Sequence, residues 1–385
     1  MRDRLTREEL LRRAAFVGAL ASIPGFAAAC GGSKSTSSSS GGKNELAKTL
    51  RFSNWTLYID VDEKTKQRPT LETFQKRFGV EVLYTEDINS NSEYFGKIQG
   101  PLSRGQSIDR DIIVLTDNER FLSTMIDKGW TEKLDIDAIP NIANLVDVQK
   151  HPGFDANREF SLPWQSGMTG IAYNATLTKP ITSLEQLLED PDLKGKVTML
   201  DNFSDSLGIV MLANGDDPSK VTDDAFKRAI DRVKEASDKG QIRQFTGNDY
   251  SGPLAKGDLK ACLAWSGDIV QLQADNANLK WGIPSDGGMI WTDNRIIPKG
   301  GDVYTASVYM NYVYDPKVAA KLAAYINYVT PVKGAKEELA KTDPETAKNE
   351  LIFPSDETLS QVHLIDPDAL KNVDYQEQWQ AVLGS

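Results

Sequence analysis

Short apolar runs alternate with amphipathic stretches along most of the chain, and glycine, proline or small polar residues punctuate them. Leu50–Trp55 predicts a strand ending in Asn54-Trp55-Thr56, Pro69–Phe78 a helix closed by Gly79, and Val80–Thr85 a second strand. Ser92–Leu102 follows as a helix, and Asp111–Leu115 (DIIVL) is apolar enough for a strand buried on both faces. Asn118–Lys128 predicts a helix that stops at Gly129. A second series starts after Pro163, with strands at Gly170–Tyr173, Val197–Leu200, Leu259–Trp265 and Leu279–Ile283. Within Asp224–Lys239, Phe226, Ile230, Val233 and Ala236 recur at helical spacing, and Gly240 ends the run. Met289–Pro298 reads as extended, Ser307–Val329 as largely helical, and Tyr375–Leu383 as the last helix. Such βαβ alternation implies a parallel sheet covered by helices, an α/β architecture.

The first 29 residues follow a different pattern. Met1–Arg13 is charged and carries the Arg12-Arg13 pair, and Ala14–Ala29 is a short apolar stretch of mostly small residues leading into Cys30. A positive start, a short apolar run and small residues before a cut predict an export signal. As an uncleaved anchor, sixteen residues with Pro24 and two glycines fall short of the about 20 that span a bilayer. A cysteine at the cut resembles the lipobox of bacterial lipoproteins, which implies acylation of Cys30 and membrane attachment through that lipid only. The paired arginines resemble a twin-arginine signal, so the general and twin-arginine export routes both stay open. Residues 30–44 hold the Gly/Ser-rich tether Gly31–Lys43, whose random-coil reach is about 20 Å.

Composition narrows the classes. The formal net charge is −11; residues 1–29 carry five arginines and three acids, so the exported part stands at −13. Nucleic-acid binding needs a basic face, which this balance argues against. An acidic surface instead concentrates cations. Some 340 residues beyond Asn44 exceed one ordinary core, so two lobes are expected. Apart from Cys30 only Cys262 is present, which excludes an intrachain disulfide in a lipidated chain; its apolar neighbours predict a buried strand residue. Two histidines, His151 and His363, both expected at the surface, give no metal cluster, and no cofactor motif is present.

Ligands of open α/β sheets collect beyond the carboxyl ends of strands. Several predicted strand ends carry an aromatic or acidic residue: Asn54–Tyr58, Thr116-Asp117-Asn118, Asp201-Asn202 with Asp205, Trp265–Asp268, and Gly287–Asp293. A lone tryptophan there would be packing, Asp293 a turn or cap residue, Asp205 a cap of a helix starting near Ser204–Ser206, and Tyr328 a packing residue. Three tryptophans at such ends with acids beside them suit an elongated organic cation. An ammonium over an indole face gains roughly 0.5–2 kcal/mol, and a carboxylate bonded to it adds about 1.5–3 kcal/mol. A sugar would also stack on indole; the acids favour the cation. No GxSxG or HExxH is present, and the Asp201/Asp205 pair is not distinctive for a glycosidase, so a hydrolase has little support.

In order along the chain, NWTLY, DIIVLTDNERFLSTMIDKGW, SLPWQSGMTGIAYN, KVTMLDNFSD, LKACLAWSGD and GIPSDGGMIWTDNRIIP resemble the bacterial spermidine/putrescine-binding proteins, solute receptors of polyamine ABC importers. The resemblance implies a two-lobed type II periplasmic-binding fold with a central cleft and hinge crossovers. Residues 45–167 with 292–335 would form one lobe, and 168–291 with 336–385 the other. It implies no enzyme activity, a monomer, a small polycationic ligand and an ABC permease as partner. Trp55, Trp265, Trp291 and Tyr328 would box the methylene chain, with Asp293 on a proximal or internal amine and Asp205 on a terminal one. Thr56, Tyr58 and Thr116 would add polar contacts or cleft walls, and Gln380 matches a late family glutamine. Three positions depart: Leu57 and Asn202 stand where the family has acids, and Asn118 where it has a tyrosine. Asp60, Asp117 or Asp201 would be substitutes for the lost acids. The alternatives within the same fold are a sugar, an amino acid derivative or a quaternary amine.

Overall fold

A computed structural model describes residues 44–384; the expected export signal, Cys30 and the expected tether to Lys43 lie outside the described residues. One mixed sheet runs through the molecule. Its strands are β1 (Thr49–Trp55), β2 (Glu81–Ile88), β3 (Ile112–Thr116), β4 (Ser161–Asn174), β5 (Val197–Leu200), β6 (Ile242–Thr246), β7 (Ala261–Trp265), β8 (Leu279–Gly282), β9 (Gly288–Ile296) and β10 (Val362–His363). They are ordered β2-β1-β3-β9-β4-β7-β5-β6, with β10 on β9 and β8 on β4.

At one end β1 pairs in parallel with β2 and β3, and at the other β5 pairs in parallel with β6 and β7. Two long antiparallel strands join these groups. The first half of β4 lies beside the second half of β9, which also pairs with β3. The second half of β4 leaves that neighbourhood and pairs with β7 and β8. Each parallel group is covered by its own helices, and the result is a two-lobed α/β fold whose lobes share β4 and β9.

Local chemistry accounts for most elements. All five residues of β3 are buried, as DIIVL requires. Pro69 opens the first helix, and Gly79 closes it at φ 70°, in the left-handed region where a Cβ is costly. Thr222 caps Asp223–Asp238, which buries Phe226, Ile230, Val233 and Ala236 on one face. Cys262 is fully buried in β7, and burial pushes its thiol well up.

Three expectations are corrected and one strand was missed. Gly170–Tyr173 is only the end of the 14-residue β4, whose Pro163, Gly167 and Gly170 disguise an almost wholly buried strand. Ser307–Val329 is two helices, Val303–Val313 and Pro316–Ile326, because Asp315 caps a new helix with proline at its first position. The strand β6 (IRQFT) was invisible, since an edge strand with exposed Arg243 and Gln244 carries no apolar run. His363 is half-buried in β10 rather than at the surface, whereas His151 is exposed. Among the described residues no helix is long and apolar enough to cross a membrane, and no cluster of acids, histidines or cysteines has the arrangement of a metal site.

Candidate functional site

The carboxyl ends of β1, β3, β5 and β7, together with the middle of β9, surround one partly open cavity. All nine residues singled out from the sequence (Trp55, Thr56, Tyr58, Thr116, Asp205, Trp265, Trp291, Asp293 and Tyr328) line it. Asp268 and four asparagines, Asn91, Asn118, Asn202 and Asn248, complete the wall. No lysine or arginine is on it among the described residues.

Each carboxylate is held by hydrogen bonds from neutral groups. Asp293 sits opposite Thr116 in the β3–β9 ladder, so it is a strand residue and not a turn or cap. The hydroxyls of Tyr58 and Thr116 donate to its two oxygens, each at 2.7 Å. Tyr58 reaches it because the chain after β1 turns sharply: Leu57 adopts φ 57°, while Asn54 bonds the backbone on both sides of the turn. Leu57 itself is absent from the cavity wall, so nothing acidic faces the ligand space from that position.

Asp205 lies in the first turn of Phe203–Ala213, but the cap is Asn202, whose Oδ1 accepts from the Asp205 N–H at 2.9 Å. Its carboxylate accepts from Trp265 Nε1 at 3.0 Å and from Asn118 Nδ2 at 3.1 Å. The third acid, Asp268, accepts from Tyr250 (2.6 Å), Asn248 (2.7 Å) and Tyr328 (2.8 Å). Of the proposed substitutes, Asp60 instead serves Thr70, and Asp117 serves the Thr292 backbone. Neither they, Asp201 nor Gln380 lines the cavity; Asp268 does.

Burial of these acids without a counter-cation disfavours their charged forms. It pushes Asp205 and Asp293 up to about 7 and Asp268 up to about 6, against the hydrogen bonds that pull them down.

Aromatic rings form the rest of the enclosure. Trp265 packs against Trp55 and Trp291 with centroids 5.9 and 6.0 Å apart, and Tyr328 packs against Trp291 and Tyr58 at 5.6 and 5.4 Å. Two glycines make room for them. A Cβ on Gly167 would come within 2.4 Å of the Trp291 ring, and one on Gly267 within 2.3 Å of the Tyr328 ring. Gly267→Ala is therefore expected to displace Tyr328 from Asp268. The cost would be about 1–3 kcal/mol of stability, and ligand affinity would fall at least tenfold; a melting curve and a titration check both.

The arrangement can enclose an elongated cation: charge at three points, apolar faces between them, and amide oxygens to accept further N–H groups. Among the described residues its wall carries no histidine, cysteine, serine or lysine.

The chain is 26% identical over 340 residues to spermidine/putrescine-binding periplasmic protein 1 of Haemophilus influenzae, covering 88% of this chain and 91% of that one. It is 28% identical over 333 residues to the putrescine-binding periplasmic protein PotF of Escherichia coli, covering 80% and 83%. A solved structure described as a putative spermidine/putrescine ABC transporter from Listeria monocytogenes shares the fold. The TM-score is 0.73 at 24% identity, with 87% of this chain and 99% of that one covered. The sequence model of the family described as bacterial extracellular solute-binding protein matches residues 70–354, and the chain belongs to that family.

Proposed function

We propose that this protein captures a polyamine of the putrescine/spermidine class between its lobes and hands it to an ABC permease, without catalysing a reaction. One observation carries the reading: two buried carboxylates, Asp205 and Asp293, and the half-buried Asp268 share an aromatic-walled cavity that has no basic residue on its wall among the described residues. Removing that much negative charge from water is costly unless a cation joins it. A neutral sugar would leave the charge uncompensated, and a quaternary amine would bring the carboxylates no N–H of its own. The relatives that bind spermidine or putrescine point the same way. The export signal and Cys30 support a lipid-anchored, extracytoplasmic location.

We place the lobe crossings at Gly167 in β4, at Trp291–Thr292 in β9, and in a third segment. Ser166 exchanges two backbone hydrogen bonds with Val329, at 2.8 and 2.9 Å, beside the first two crossings. The helix Ala335–Ala340 still packs on Pro316–Ile326, whereas β10 lies on the first half of β9. The third crossing is therefore put between Lys341 and Val362, later than the 335/336 boundary expected from sequence. Closure about these segments would be a hinge motion.

Titration of intrinsic tryptophan fluorescence with putrescine, spermidine and spermine tests the assignment, because three indoles face the cavity. Saturable binding of at least one of them at micromolar concentration is expected. No saturation with any of the three would overturn it.

A further inference from the structure

Two of the positions that depart from the family pattern, Asn118 and Asn202, touch each other. Asn202 Nδ2 donates to Asn118 Oδ1 at 3.3 Å, and Asn118 Nδ2 passes the chain on to Asp205 Oδ1 at 3.1 Å. The Ser204 hydroxyl donates to the Asn118 carbonyl oxygen. Asn118, Asn202, Ser204 and Asp205 are all buried. Asn118 follows β3 and Asn202 follows β5, yet β9, β4 and β7 lie between those strands in the sheet. The bonds therefore cross the cleft and not the sheet. A second crossing lies nearby: the Asn248 N–H donates to the Asn89 carbonyl at 3.4 Å, and a Cβ on Gly247 would come within 2.7 Å of that same oxygen.

An amide suits such a bridge because it donates and accepts at once. An aspartate at either position would set a second buried carboxylate against Asp205, and closing the cleft would then need a cation between them. Two neutral amides add no further charge there, beyond that of Glu119 next to Asn118, which already faces the charges of Asp201 and Asp205. We propose that Asn118 and Asn202 form an uncharged latch between the lobes, which lets the cleft close without ligand and holds the Asp205 carboxylate toward the cavity. They are positioning residues, acting through Asp205 and through closure. The inference rests on the two-lobed cleft reading but not on the identity of the cargo.

Small-angle scattering of the ligand-free protein reads the latch directly. Unliganded wild type should scatter as the compact form, with little change when spermidine is added. Asn118→Ala removes the bridge from one wall. Asn202→Asp and Asn202→Ser remove it from the other while keeping a side chain that caps the helix. All three variants should be more extended when empty. Asn202→Asp, with its added charge, should be the most extended and should compact on adding spermidine. Asn118→Ala should release spermidine about tenfold faster or more in stopped-flow fluorescence, as loss of a charged hydrogen bond predicts, and the Asn202 variants, which lose a neutral amide–amide bond, about two- to tenfold faster. Asn118→Ala/Asn202→Ser should open no further than either single change, because both break one bridge.

Ligand-free wild type as extended as its variants, or additive effects in the double variant, would overturn the latch. Failure to bind any polyamine while the scattering differences persist would overturn the cargo assignment alone.

Discussion

Replacing Asp293 by alanine is expected to lower polyamine affinity by about 100-fold, the loss of one charged hydrogen bond being worth roughly 10- to 150-fold. The upper part of that range applies because the group is enclosed. Asp293 is almost fully buried, and its two oxygens are aimed by the Tyr58 and Thr116 hydroxyls at 2.7 Å. Removing it also leaves those two hydroxyls facing the ligand without an acceptor. Asp293→Asn keeps the shape and tests the charge alone; it should cost nearly as much. The empty protein should respond in the opposite direction. A buried acid with no cation beside it destabilises the fold, so Asp293→Asn should raise the melting temperature while it weakens binding. Calorimetric titration and a thermal melt of the same preparation give both signs. A threefold change in affinity, or a fall in both quantities, would mean that Asp293 is structural and that the cargo is not held by charge.

Sequence pattern located the site more completely than it located the fold around it. Strand ends can be read because an apolar run stops abruptly at an aromatic or polar residue, and Trp55, Thr116 and Trp265 carry that mark, whereas Asp205 lies in the helix after β5 and Asp293 within β9. Asp268 was in view within Trp265–Asp268 but carried no such mark. Its relation to the cavity depends on Tyr250 and Tyr328, which lie 18 and 60 residues away in sequence. The Asn118–Asn202 bridge, 84 residues apart, was hidden for the same reason. Each was visible as a departure, but only the curl of the sheet brings the two together.

The length of β4 was missed because glycine and proline read as breaks. Here the glycines have steric work: Gly167 leaves space for Trp291 and Tyr328, and Gly170 for the close approach of Trp281 and the Gly282 carbonyl. Edge strand β6 failed on polarity, since one face meets solvent.

Acidification should weaken capture and stabilise the empty protein. Burial holds Asp205 and Asp293 at about 7 and Asp268 at about 6. Behind them Glu119 is pushed up to about 8 by burial and by the charges of Asp201 and Asp205. In the unfolded chain such carboxyls titrate near about 4. Between about pH 4 and the folded values the native state therefore binds more protons than the unfolded one. The associated stability is full below that window and is lost as pH rises through 6–8, so the ligand-free melting temperature should rise from pH 8 to pH 5.5.

Ammonium groups stay charged across this range, with lysine at about 10.4 as a guide, and they pair only with ionised acids. Binding must then expel the protons, and affinity should fall about tenfold per pH unit for each proton released. With two acids at about 7 and one at about 6, the loss between pH 8 and 5.5 should reach at least about 1,000-fold. Titrations in buffers of different ionisation enthalpy count the protons, and Asp293→Asn should release fewer. Affinity that is flat with pH, with no proton release, would mean that the three carboxylates are already ionised in the empty cleft, and that burial there is less complete than the geometry requires.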